Sequence, residues 1–366
     1  MLKGRKILIA AAGTGGHIYP AISLADHLRD VHGSDITFLG TLRGLENEII
    51  PKKNYKIEYI DVSGFSGSVK QKLVSLLNCF SGTLRSINII KENKYDIIVG
   101  AGGYISFPAV IAGYLLSKPC YMIEQNLLPG KVTKLLSGLC RKVFISFSDS
   151  KKYLKGKNVY YTGNPIRKDF FLVDKAVSLA KLNLKKDKFT ILITGASQGA
   201  LSINEAVLNS LEKWKSFPWQ ILHVTGRNHF DNINNQVKKL KNSSFKADYR
   251  IFPYYDNMAD LYAVSDIVIS RAGASTLSEI IQMRLPSALI PYPFAAEDHQ
   301  KFNAKFLYNN NSAVIIEDNA VREMLCPEII RLFENKEIFQ KMKDSFKNIV
   351  IKNAAEDITK LIEKDM

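Results

Sequence analysis

Acidic residues are the scarcer charge in this sequence: 35 Asp and Glu stand against 50 Lys and Arg, a formal net charge of +15 at pH 7. A balance so basic points to an anionic partner, whether nucleic acid, an acidic lipid surface or a phosphorylated substrate. Cysteine is scarcer still. Cys79, Cys120, Cys140 and Cys326 are the only ones, and no two form a Cys-x-x-Cys pair, which excludes a disulfide scaffold and a zinc ribbon and fits a reducing cytoplasm. No Asp-x-Asp occurs, and His17, His27, His32, His223, His229 and His299 do not fall at metal-binding spacings, so no metal site is expected. Long apolar runs are missing too. A membrane-spanning helix needs roughly 20 consecutive apolar residues, and the strongest candidate run is only Val110 to Leu116. Lys3-Gly4-Arg5-Lys6 followed by Ile7 to Ala12 imitates a signal peptide, but the stretch is short and runs into Gly13-Thr14-Gly15-Gly16. It reads as a buried strand entering a glycine turn, in a cytoplasmic protein for which a peripheral membrane contact stays open.

What remains is ample material for cores: 46% of the 366 residues are hydrophobic and 23% charged, which suits about two domains. Short apolar runs alternate with helical periodicity. Strands are predicted at Lys6–Ala11, Ile36–Leu39, Ile97–Val99, Cys120–Ile123, Lys142–Ile145, Thr190–Thr194, Gln220–Val224, Ile267–Ile269 and Ala288–Ile290. Amphipathic segments such as Ala21–Val31 and Ser202–Ser216 lie between them. The expected class is α/β, with parallel sheets covered by helices on both faces. The pattern restarts at Lys188–Thr194, and turn residues interrupt it at Gly163-Asn164-Pro165. Two Rossmann-like domains facing each other across a deep cleft are therefore expected, over residues 1–163 and 164–348, with a last helix over 349–366 joining the first. Ligands of open parallel sheets bind beyond the carboxyl ends of the strands.

Three glycine turns follow predicted strands: Gly13–Gly16, Gly100–Gly103 and Gly195–Gly199. Such turns serve close packing, or they present backbone N–H groups and a helix dipole to an anion. Three at equivalent places favour a phosphate ligand. The Walker A pattern is absent and the first turn is not Gly-x-Gly-x-x-Gly, which argues against a dinucleotide oxidoreductase. With no metal expected, amides, dipoles and neutral donors are the means left for stabilising a leaving diphosphate. His17 follows two glycines at a helix start, where it could accept a proton, hold a phosphate oxygen, or simply pack. In Arg271-Ala272-Gly273-Ala274-Ser275-Thr276-Leu277-Ser278-Glu279, small and hydroxyl residues open a helix, and Glu279 could bind a ribose diol or merely complement the helix end. Glu124-Gln125-Asn126 forms a polar cluster at a strand end, and Glu297-Asp298-His299-Gln300 with Asn303 could bind hydroxyls or cap a helix. Along Val69–Ile90, Val69, Leu73, Leu76, Leu77, Phe80 and Leu84 are interleaved with Lys70, Lys72 and Arg85. That face could lie on an anionic bilayer or pack in a core. No nucleic-acid module accompanies the lysine runs.

These residues in this order resemble the MurG family, the N-acetylglucosaminyltransferases of bacterial peptidoglycan synthesis. The marks are Gly13-Thr14-Gly15-Gly16-His17-Ile18-Tyr19-Pro20-Ala21, Gly102-Gly103-Tyr104, Glu124-Gln125-Asn126, Gly163-Asn164-Pro165-Ile166-Arg167, Gly195-Ala196-Ser197-Gln198-Gly199, Arg271 to Thr276, Asp298-His299-Gln300 and Asn303-Ala304. The resemblance implies the GT-B fold and inverting transfer of GlcNAc from UDP-GlcNAc to the lipid-linked muramoyl acceptor lipid I, forming lipid II, with no cofactor and no nucleic acid. Carried over by match, Thr14, Gly15, Gly16 and Asn126 contact the donor from the first domain. Arg167, Ser197, Ala274, Ser275, Thr276, Leu277, Ser278, Glu279 and Gln300 hold it from the second, Glu279 taking the ribose and Tyr255 lying in the uracil-reading loop. Gly102, Gly103 and Tyr104 are the counterpart on the acceptor pyrophosphate, and His17 is the candidate base. The family also implies a peripheral place on the anionic cytoplasmic face of the cell membrane, through the segment of Val69 to Phe80. Ala196 stands where a glycine is common, and His299 where some members have glutamine. Another UDP-sugar enzyme, such as a UDP-GlcNAc 2-epimerase, and a basic non-enzymatic adaptor are the competing readings.

Overall fold

Short apolar runs of the sequence become the middle strands of two parallel sheets, whereas the run beginning at Val110 falls in a helix. The computed structural model describes residues 2–62, 69–195, 199–240 and 246–366, with side chains described throughout these ranges except at 69–76. Two units divide the chain, one of Met1–Arg167 with Lys352–Met366 and one of Lys168–Ile351. Residues 164–167 thus go with the first unit and 349–351 with the second. Gly163 shows why the returning chain joins there: a Cβ on it would stand 3.2 Å from the Lys352 Cβ.

In the first unit the strands are β1 (Lys6–Ala10), β2 (Asp35–Gly40), β3 (Lys56–Tyr59), β4 (Ile97–Gly100), β5 (Cys120–Glu124), β6 (Lys142–Ile145) and β7 (Val159–Tyr161). Their order in the sheet is β3-β2-β1-β4-β5-β6-β7. Every pairing is parallel, and Ile9 sits opposite Phe38 on one side and Val99 on the other. Side chains alternate between the faces of a strand, so β1 feeds two cores. Ile7 and Ile9 pack with helix Gly15–His32 and with Ile358 and Ile362 of the last helix, Ala354–Glu363. Leu8 and Ala10 pack on the opposite face with Ile89 and Ile90 of helix Val69–Asn93 and Ala109 and Val110 of helix Ser106–Leu115.

The second unit repeats the plan with β8 (Thr190–Thr194), β9 (Gln220–Val224), β10 (Asp248–Phe252), β11 (Ile267–Ser270), β12 (Ser287–Leu289) and β13 (Ala313–Ile315). The order is β10-β9-β8-β11-β12-β13, again parallel throughout. Ile191 and Ile193 pack against Ile203, Val207 and Trp214 of helix Leu201–Trp214 and against Ile329 of helix Val321–Glu334.

In both sheets the chain works outward from its first strand in one direction and then resumes on that strand's other side. The crossovers after β1 and β4, and those after β8 and β11, therefore diverge. Each sheet has a switch point there, where a crevice opens beyond the carboxyl ends of the strands.

Candidate active site

At the first unit's switch point, β1 runs into Gly13 and Thr14 before helix Gly15–His32 begins. Thr14 is the N-cap, extended at φ −102° and ψ 159°, and its carbonyl accepts from the His17 and Ile18 N–H groups. His17 thus occupies the third helical position. Its Nδ1 lies 3.1 Å from Gln125 Oε1, and Gln125, buried just past β5, donates from Nε2 to the Ala101 carbonyl at 2.9 Å. The turn after β4 completes the contact. Gly102 has φ +82°, and a Cβ there would stand 2.7 Å from His17 Nδ1 and 2.8 Å from Gln125 Oε1, so only glycine fits. Burial holds the His17 imidazole below its ordinary pKa, while the Gln125 bond and the Ala101 carbonyl act in the opposite sense.

Glu46 does work that sequence reasoning missed. Fully buried in helix Glu46–Lys52, its carboxylate accepts from Gly13 N–H at 3.1 Å, Thr41 N–H at 3.0 Å and the Thr41 hydroxyl at 2.7 Å. The first glycine turn therefore does not offer all its amides outward: Gly13 spends its own on an internal carboxylate. The second turn departs in another way. Its helix starts only at Ser106, after Ile105, so Gly102 and Gly103 pack against His17 and do not form a helix N-terminus. Tyr104 lines a cavity of about 480 Å³ with Gly13, Thr41, Arg43, Gly44, Leu45, Asn47 and Glu48.

Asn126 follows Gln125 in a loop shaped by Glu124. That buried carboxylate accepts from Asn126 N–H and Gly130 N–H, each at 3.0 Å. Burial raises its pKa, and these bonds with Thr133 oppose the rise. Arg167, expected on the second domain's side, belongs to the first unit. Of the candidate membrane residues, the side chains of Val69, Leu73 and Leu76 lie outside the described residues. Leu77 and Phe80 are 62% and 66% exposed, and Leu84 one turn on is 50% exposed, forming an apolar stripe beside exposed Arg85. Among the described residues no helix is long and apolar enough to cross a membrane.

In the second unit, the candidate residues lie past the carboxyl ends of the parallel strands. Ser197, with Ala196 and Gln198, lies outside the described residues. After β11, residues 271–273 lead into helix Ala274–Met283, and side chains hold this segment tightly. Gln300 Oε1 accepts from Ala272 N–H at 3.2 Å and Tyr292 N–H at 3.0 Å, while Asn303 donates to the Ala272 carbonyl at 3.3 Å. Arg271 donates to the Ile290 carbonyl, to Ser202 Oγ and to Asp318. Gln300 and Asn303, read in sequence as hydroxyl binders or caps, thus aim the start of a neighbouring helix. That helix has Gly273 as its N-cap and no acid in its first turn, so its positive end is not neutralised from within.

Ala274, Thr276 and Leu277 are buried, and Ser275, Ser278 and Glu279 are half-exposed. Leu277 directs its side chain into the core and its N–H to the Gly273 carbonyl. Glu279 stands in the second turn, and Ser278 Oγ returns to the Ala274 carbonyl at 2.8 Å. Tyr255, in the loop after β10, packs edge-on to Phe252 with ring centroids 5.2 Å apart, and burial raises its phenol pKa. Among the described residues no three His, Cys, Asp or Glu side chains gather as a metal site requires.

Comparison with known proteins places this geometry in a family. Residues 7–145 match the glycosyltransferase family 28 N-terminal domain and residues 190–362 its C-terminal domain. The UDP-N-acetylglucosamine–N-acetylmuramyl-(pentapeptide) pyrophosphoryl-undecaprenol N-acetylglucosamine transferase of Thermoanaerobacter sp. is 38% identical over 364 residues, 98% of this chain and 99% of its own. The crystal structure of Acinetobacter baumannii MurG superposes with a TM-score of 0.79 at 25% identity, covering 98% of this chain and 99% of that one. A UDP-GlcNAc 2-epimerase from Neisseria meningitidis, at 18% identity and a TM-score of 0.63, shares the fold alone; it covers 98% of this chain and 100% of its own. With its two all-parallel sheets and a relative this similar along almost its whole length, the chain belongs to glycosyltransferase family 28 and, within it, to the MurG family of GT-B enzymes.

Proposed function

We propose that this chain moves GlcNAc from UDP-GlcNAc to the muramoyl C4 hydroxyl of undecaprenyl-pyrophosphoryl-MurNAc-pentapeptide, with inversion at the anomeric carbon, in the synthesis of the cell wall. The observation that carries this reading is membership of the family over nearly the full chain. Geometry supports the diphosphate role in the second unit. In the second unit, the helix start at Ala274, free of acid in its first turn and aimed by Gln300 and Asn303, suits a diphosphate. Glu279, Tyr255 and Ser197 take ribose, uracil and phosphate respectively, and Arg167, Thr14, Gly15, Gly16 and Asn126 complete the donor's contacts. In the first unit, Tyr104 with the Gly102-Gly103 turn receives the acceptor pyrophosphate.

The reaction balances without a further reagent. The acceptor O4 forms a bond to the GlcNAc anomeric carbon as the bond from that carbon to the UDP β-phosphate oxygen breaks. The O4 proton passes to His17, and UDP leaves as an anion stabilised by amides and the helix dipole. A peripheral seat on the anionic inner face of the membrane brings the chain to its lipid acceptor, through Leu77, Phe80 and the segment before them.

The test is incubation with labelled UDP-GlcNAc and a short-chain lipid I analogue, with UDP-GalNAc as control. Transfer of GlcNAc to the lipid-linked sugar is expected. Epimerisation of the donor without transfer, or no turnover of either substrate, sinks the reading.

A further inference from the structure

Resting on the assignment of His17 as proton acceptor, we propose that Gln125 is a positioning residue that holds the His17 imidazole in the Nδ1-protonated tautomer, so that Nε2 presents a lone pair to a substrate hydroxyl. The Ala101 carbonyl can only accept. The Gln125 amide must therefore turn its NH₂ toward Ala101, 2.9 Å away, which leaves Oε1 facing His17 Nδ1 at 3.1 Å. An amide oxygen also only accepts. The contact is a hydrogen bond if Nδ1 carries the proton, and two opposed lone pairs if it does not.

The surroundings leave no route around this choice. Gln125 is 1% exposed, so water cannot substitute for either partner, and an unmade bond there keeps its full desolvation cost. Glycine at 102 closes the remaining side, since any side chain would collide with both Nδ1 and Oε1. The groups that set the imidazole's affinity for a proton are burial, Gln125 and the Ala101 carbonyl; none carries a charge. A neutral ring with its proton on Nδ1 has only an acceptor at Nε2. It can take a hydrogen bond, and then a proton, from a hydroxyl. It cannot donate one to a phosphate oxygen. Of the roles that the sequence leaves open for His17, accepting a proton and holding a phosphate oxygen are separated by its neighbour.

Two measurements on the full chain test this. In ¹⁵N-histidine-labelled protein at pH 8, two-bond correlation spectra distinguish protonated from unprotonated ring nitrogens, and His17→Gln identifies the His17 signal by its loss. Nδ1–H is expected in the native chain, with a shift of population toward Nε2–H in Gln125→Leu. An Nε2–H tautomer in the native chain, or one unaltered by Gln125→Leu, overturns the proposal. The second measurement is the pH profile of kcat/KM for GlcNAc transfer. Gln125→Glu places a carboxylate against Nδ1 and stabilises imidazolium, so the acid limb should move to higher pH by about 1 unit or more, with UDP-GlcNAc affinity unchanged. An unmoved limb in a variant of native circular dichroism counts against the assignment. If Gln125→Glu does not fold, the tautomer measurement decides alone. Absence of GlcNAc transfer by the native chain would refute the proposed function and still leave the tautomer to be read.

Discussion

Two buried ionisable side chains carry distinct loads. Glu46 ties the loop after β1 to the loop after β2 through three hydrogen bonds to one carboxylate. Glu46→Gln keeps the volume but turns an NH₂ toward donors, and the loss should be roughly 1–3 kcal/mol, read as a lower thermal midpoint. Because the freed loop carries Gly13, which lines the cavity beside Tyr104, and runs straight into Thr14, Gly15 and Gly16, the KM for the lipid I analogue and that for UDP-GlcNAc should both rise. An unchanged acceptor KM would reduce Glu46 to a structural brace. His223 is fully buried in β9, with Nε2 donating to Asn204 Oδ1 at 2.9 Å and Nδ1 accepting from the Tyr249 hydroxyl. Burial pushes its pKa down to about 3. Below the unfolded value near 6.5 the unfolded chain binds a proton that the folded chain refuses. Stability therefore falls from about pH 6.5 toward pH 3, by up to ~1.4 kcal/mol per pH unit from this group. In denaturant titrations at several pH values, His223→Gln should remove that slope, and equal slopes in both proteins would contradict it. Glu46 was not legible as a site residue in the sequence, and Gln125 was legible only as the middle member of the polar cluster Glu124-Gln125-Asn126, without its role against His17. Their partners are mostly backbone groups, which leave no letter to match, and Glu46 lies 33 positions from the glycine it holds.

At the scale of elements, legibility followed burial. The nine strands read from the sequence are the interior strands of the two sheets, and the four missed, β3, β7, β10 and β13, are the edges. An interior parallel strand is covered on both faces and becomes a continuous apolar run. Lys56–Tyr59 and Asp248–Phe252 show what an edge permits: charges at Lys56, Glu58, Asp248 and Arg250 break the run, as befits a strand that must not recruit another. The helix starting at Ala274 was legible as an element, but the clamp that aims it was not, because Gln300 acts on the backbone of Ala272 from 28 positions away. Its positive end, with no acid in the first turn, gives a test in which stability and function part company. Ser275→Asp adds an acid to the first turn, which should stabilise the free helix by about 0.3–1 kcal/mol. The same charge repels a diphosphate at that end, so UDP-GlcNAc affinity should fall while the thermal midpoint of the free protein is held or raised. A variant that binds UDP-GlcNAc normally would place the diphosphate elsewhere.

The whole molecule sets two further constraints. In the proposed membrane role, the net charge of +15 would draw the chain toward anionic lipid, and the exposed Leu77, Phe80 and Leu84 stripe would supply apolar contact there. Flotation with anionic vesicles should weaken as salt rises, and Leu77→Ser with Phe80→Ser should reduce it further; binding insensitive to both would remove this face from contact with the membrane. The second constraint is that the first unit is finished by residues more than 180 positions after Arg167. Ile358 and Ile362 complete one of its cores, and Asp365 secures them. The Asp365 carboxylate pairs with Lys142 and accepts from the Tyr121 hydroxyl at 3.1 Å, while Arg141 donates to the Asp365 carbonyl at 2.9 Å. The Lys142 side chain is only 9% exposed, so removing its counter-charge leaves an ammonium largely out of water. Asp365→Asn should lower the thermal midpoint by the equivalent of about 3 kcal/mol, whereas replacing both partners with apolar groups is often close to neutral. Adding Lys142→Met to Asp365→Leu should therefore recover much of what Asp365→Leu alone loses. A double variant no better than the single one would mean that the last helix is held by its apolar face alone. Recovery would show that charge at the base of β5 and β6 helps hold the sheet whose opposite end delivers Gln125 to His17.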